Sequence, residues 1–117
     1  MRQEPFDLRL RGTGTFGGRG HVRVVWLGVA EGGEPLRELA AKSESACRAA
    51  GLPPEERPFR AHLTLARATQ RGGANLPPLP EPPELSGWRA EGFVLYESRL
   101  GKGPAVYAPI ERFRLSR

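Results

Sequence analysis

Only one stretch of this sequence has the periodicity of a helix, and that limits the fold more than any other feature. In "GGEPLRELAAKSESACRAAGLPP" (32–54), Leu36, Leu39, Ala40, Ser43, Cys47 and Ala50 recur at helical spacing and so line one face. Pro35 suits the first turn, Gly51 suits the C-terminal cap, and Pro53 and Pro54 stop the helix. A parallel sheet needs a crossover, usually a helix, for each strand pair, and 117 residues with one helix cannot supply them. The expected fold is therefore α+β, an antiparallel sheet with one main helix, in a single domain over residues 1–117.

The remaining segments read as strands. "PFDLRLRG" alternates Phe6, Leu8 and Leu10 against Asp7, Arg9 and Arg11, and "HVRVVWLGVA" is β-branched and aromatic on both faces, as in a central strand. The glycine-rich "GTGTFGGRG" between them is expected to be a hairpin loop, since it does not follow a strand and open a helix as a phosphate-binding loop must. "FRAHLTLAR" gives a third strand, and "WRAEGFVLYESRL" and "AVYAPIERFRLSR", joined by the turn "GKGP", give two more. Residues 68–87, which include Pro77, Pro78, Pro80, Pro82 and Pro83, have neither period and read as a long proline-rich loop. A five-stranded sheet under one helix leaves its second face bare, yet Phe6, Val25, Trp26 and Leu27 argue that this face is not polar. Something else should pack there.

Composition removes several function classes. No run approaches the length of apolar residues that crosses a membrane, and "MRQEPFDLRLRG" lacks the apolar centre of a signal peptide, which points to a cytoplasmic protein with no membrane partner. Cys47 is the single cysteine and the two histidines are far apart, so neither a disulfide nor a metal-ligand spacing is present, and no cofactor is expected. The net charge of +5 comes from sixteen arginines against two lysines. Arginine's planar fork of donors suits phosphate, so a polyanion such as nucleic acid is the natural partner class, although a GC-rich genome explains the same charge equally well.

Chemistry concentrates in "RPFRAHLTLAR" (57–67). On a strand, Arg60, His62 and Thr64 share one face, which sets the imidazole and the hydroxyl about 7 Å apart at the backbone. An imidazole can move a proton while a hydroxyl donates to a non-bridging phosphate oxygen, and Arg67 at the strand end can add charge to the same anion. The ordinary reading of a strand histidine is a structural one, and His-x-Thr-x-x-Arg alone is a short pattern. This polar face is expected to line a positively charged groove.

The flanks make the pattern more specific. With "FGGRGHVRVVWLGVAEGGEPLRELA" before it and "FVLYESRLGKGPAVYAPIERFRL" after it, the segment resembles the C-terminal part of the RNA 2′,3′-cyclic phosphodiesterase or 2′-5′ RNA ligase family of the 2H phosphoesterases. That resemblance implies a two-lobed α+β fold in which two His-x-Thr motifs face each other across a cleft. It implies a hydrolase that opens the 2′,3′-cyclic phosphate of RNA or a nucleotide to a 2′-phosphomonoester without metal, one histidine acting as base and the other as acid. By position, His62 and Thr64 match the second motif, and Arg67 matches the arginine that closes it and binds phosphate. The first motif has no match: in "HVRV" an arginine, Arg23, stands where threonine would follow His21. The chain thus corresponds to part of the family's fold. Three readings stay open: a fragment of a full enzyme, a half-domain completed by a two-fold homodimer, or a non-catalytic RNA-binding remnant.

Overall fold

The computed structural model describes residues 2–117 and contains one helix and six strands in an α+β arrangement. Strands β1 (Phe6–Gly18), β2 (His21–Glu31), β3 (Leu63–Arg67) and β4 (Trp88–Ala90) form an antiparallel sheet in the order β3-β2-β1-β4, while β5 (Gly92–Gly101) and β6 (Gly103–Arg114) pair as a separate two-stranded ribbon. No helix among the described residues is long and apolar enough to cross a membrane.

Two expectations need correction. The segment "WRAEGFVLYESRL" is not one strand. It breaks at Glu91: Trp88–Ala90 pairs with the start of β1, and Gly92 onward pairs only with β6, which gives six strands in two sheets. Gly92 suits the start of β5, because a Cβ there would lie 2.8 Å from the Phe113 carbonyl oxygen of β6. The glycine-rich segment is likewise not a loop, since β1 runs through it to Gly18 and the turn is confined to Arg19–Gly20. Glycines fit there because β2 brings Trp26 opposite Gly14, and a Cβ at Gly14 would overlap the indole ring. The 68–87 segment is the expected open connection, tied to β2 by an isolated bridge between Ala74 and Val22 and by the Ala68 N–H donating to the Arg23 carbonyl.

Helix α1 (Gly33–Ala49) ends as its sequence predicts. Gly51 is left-handed at φ 91°, its N–H bonds the Arg48 carbonyl, and the Leu52 N–H reaches back to the Cys47 carbonyl, which is the Schellman arrangement. Its start is tighter: Gly32, at φ 95°, passes so close to β1 that a Cβ would sit 2.5 Å from the Asp7 carbonyl oxygen. The helix buries Leu39, with Leu36 beside it, against Phe6 and Leu8 of β1, Val29 of β2 and Leu115, whose N–H bonds the Glu91 carbonyl. Gln3 ties the two ends of the described chain to the helix: its carbonyl accepts from Ser116 N–H, and its side-chain oxygen accepts from Lys42 Nζ at 2.7 Å.

A bulge decides which residues face α1. In β1, Leu10 pairs with Val29 and Thr13 pairs with Leu27, which leaves Gly12, at φ 74°, as an extra residue. Before it, the even-numbered Phe6 and Leu8 point to the helix. After it the alternation is reversed, and Phe16 turns to the opposite face together with its cross-strand partner Val24.

Candidate active site

The face of the sheet away from α1 carries the three residues singled out from the sequence. The strand expected over "FRAHLTLAR" starts only at Leu63, so Arg60 and His62 precede β3 rather than sharing a strand face with Thr64, which pairs with Trp26 of β2. A regular strand would turn Arg67 to the other face, three residues on from Thr64. β3 is not regular. Ala66 pairs with Val25 and Arg67 with Val24, so Leu65 is an extra residue between two ladders, and Arg67 faces the same side as Thr64. The odd spacing of Thr-x-x-Arg therefore becomes a same-face pair through one bulge.

His62 is exposed yet held. Its Nδ1 lies 2.6 Å from the Arg60 carbonyl oxygen, which can only accept, so Nδ1 carries the proton and donates. In the neutral imidazole this leaves Nε2 as the basic nitrogen, with no hydrogen-bond partner among the described residues. The ring stands edge-on to Phe16, centroids 5.0 Å apart and planes at 85°, and 6.3 Å from the Trp26 ring. Phe16 and Trp26 in turn touch at 5.4 Å. Sequence reading missed Phe16 because it lay in a presumed loop; the signal was the "GTF" triplet, whose Gly14 makes room for Trp26.

The segment leading into β3 is anchored from the helix. One Glu44 carboxylate oxygen accepts the Glu55 N–H at 2.9 Å and the Arg48 Nε–H at 3.2 Å. Two residues on, the Arg57 backbone N–H and then its guanidinium hold the exposed Glu55 carboxyl below its ordinary range. His21 is elsewhere. It opens β2 beside the hairpin turn, where its Nδ1 donates to the Gly72 carbonyl at 3.1 Å and fastens the start of the proline-rich loop. Cavities of about 410 and 420 Å³ lie around Arg2 and Lys42, beside α1. Among the described residues no three His, Cys, Asp or Glu side chains gather to hold a metal ion.

Comparison with known proteins agrees with this architecture. The chain is 41% identical over 122 aligned positions to the RNA 2',3'-cyclic phosphodiesterase of Thermus thermophilus, an alignment that takes in 97% of this chain and 57% of that protein. Among solved structures, Escherichia coli LigT complexed with 3'-AMP superposes with a TM-score of 0.80 at 30% identity, covering 100% of this chain and 63% of that one. LigT complexed with phosphate gives 0.71 at 29% identity, covering 100% and 61%. The chain thus spans less than two thirds of the length of these relatives. A profile described as the 2'-5' RNA ligase superfamily matches residues 1–99, and the chain belongs to that superfamily.

Proposed function

We propose that this chain carries one half of an RNA 2′,3′-cyclic phosphodiesterase site, built from His62, Thr64 and Arg67. The observation that carries the reading is the bulge at Leu65, which brings Arg67 into register on the face of Thr64, with the His62 ring against Phe16 and Trp26 beside them. Support comes from relatives that are named for that activity and from a relative solved with a mononucleotide and with phosphate.

The chemistry follows from the residue types. Water attacks the phosphorus of the cyclic diester, the bond from phosphorus to the 3′ oxygen breaks, and a 2′-phosphomonoester remains. One group must take a proton from the water and another must give one to the leaving 3′ oxygen. With Nδ1–H engaged by Arg60, the free Nε2 of His62 serves one of these roles. Thr64 Oγ1 donates to a non-bridging oxygen, and the Arg67 guanidinium balances the charge that grows there in the transition state. The second acid–base group comes from outside these residues, either from a further stretch of a longer polypeptide or from a second copy of the chain across a two-fold axis.

Hydrolysis of an oligonucleotide ending in a 2′,3′-cyclic phosphate, followed across protein concentration, tests this. Turnover is expected to fall about 10²- to 10⁴-fold in His62→Ala. A steep rise with concentration identifies a second copy as the partner group. RNA binding with no turnover at any concentration rules out a second copy as the partner group, and turnover unchanged in His62→Ala removes His62 from the mechanism.

A further inference from the structure

We propose that Phe16 and Trp26, seated by the missing side chain at Gly14, are positioning residues that fix the orientation of the His62 imidazole. This rests on the reading of His62 as the acid–base group. The backbone bond to Arg60 fixes one ring nitrogen, but a single hydrogen bond leaves the imidazole free to swing about the Nδ1–O direction. The aromatic pair removes that freedom. Phe16 meets the ring edge-on at 5.0 Å, a favourable aromatic geometry, and Trp26 closes the angle between Phe16 and His62 at 5.4 and 6.3 Å. With Nδ1 engaged by Arg60 and the ring held between these contacts, Nε2 is the nitrogen left for a substrate.

The rest of the local structure is arranged around this stack. The Gly12 bulge is what turns Phe16 away from α1 and onto the His62 face. Gly14 pairs with Trp26, and any Cβ there would overlap the indole. Trp26 Nε1–H is itself buried without a partner, so no hydrogen bond holds the indole by that atom, and its seat on Gly14 and against Phe16 is what locates it.

The test uses the 117-residue chain and has two separable readouts. In the wild type, NMR is expected to show contacts from the His62 ring protons to Phe16 and Trp26, and imidazole nitrogen shifts of a single Nδ1–H tautomer. Gly14→Ala, which displaces the indole without altering any of the three rings, and Phe16→Leu are expected to weaken those contacts and move the His62 ring-proton shifts while the Arg60 carbonyl keeps the Nδ1–H tautomer, and Trp26→Phe is expected to preserve the contact between His62 and Phe16. In the hydrolysis assay the first two variants are expected to lower kcat by roughly 10- to 100-fold with little change in KM, as for a catalytic group that is present but misplaced. A wild-type spectrum lacking the His62 contacts overturns the proposal even if every variant fails to fold. Folded variants with unchanged His62 shifts overturn it too. Absence of turnover in the wild type would count against the phosphodiesterase reading alone and leave the spectroscopic result standing.

Discussion

The α1-covered part of the sheet and the β5–β6 ribbon are made of similar residues and end up in opposite surroundings. Phe6, Leu8, Leu39 and Leu115 close into a core in which each keeps no more than 9% of its surface exposed. On the ribbon, Val106, Tyr107 and Ile110 remain more than half exposed and Leu100 is 85% exposed, with Phe93 alone packing against the core from β5. A strand pair has two faces and two edges to cover, and this chain has one helix to cover with. Apolar content thus says which residues want cover, not whether these 117 residues provide it.

The difference can be broken from the covered side first. Leu39→Ala is expected to cost about 2–5 kcal/mol, a large share of the stability of a domain this size, and urea unfolding should show it as a lower midpoint. Gly32→Ala should cost less, roughly 1–3 kcal/mol, because it asks a left-handed glycine position to accept a side chain 2.5 Å from the Asp7 carbonyl oxygen. The same urea melts measure both. Leu100→Ser on the ribbon is expected to change stability by no more than about 0.5 kcal/mol while weakening any self-association seen by sedimentation, since it removes exposed apolar surface rather than core. A ribbon substitution as costly as the one at Leu39 would mean that the ribbon is packed in solution, and the comparison would fail.

Much of the covered side was legible in the sequence. The apolar stripe of α1, its stop at Gly51 and the alternation of Phe6 and Leu8 follow from period and turn chemistry, and all three are as the structure has them. Irregular backbone was not legible in the same way. Neither bulge alters composition, so the reversal at Gly12 and the extra residue at Leu65 could not be read from alternation alone. One trace was available: a threonine and an arginine three apart cannot face one phosphate from a regular strand, so the pattern itself asks for a bulge. The break at Glu91 left only the weak sign of the glycine that follows it.

The central claim is that the face opposite α1 is the half-site for phosphate. Titrating the isotope-labelled chain with a 2′,3′-cyclic mononucleotide, and following backbone amides and imidazole nitrogens by NMR, tests it most directly. The expected result is a set of saturable shifts at His62, Thr64 and Arg67 with Leu36, Leu39 and the rest of α1 unmoved, lost in Arg67→Ala. Shifts centred on the helix side around Arg2 and Lys42, or saturation with His62 and Thr64 silent, would contradict it.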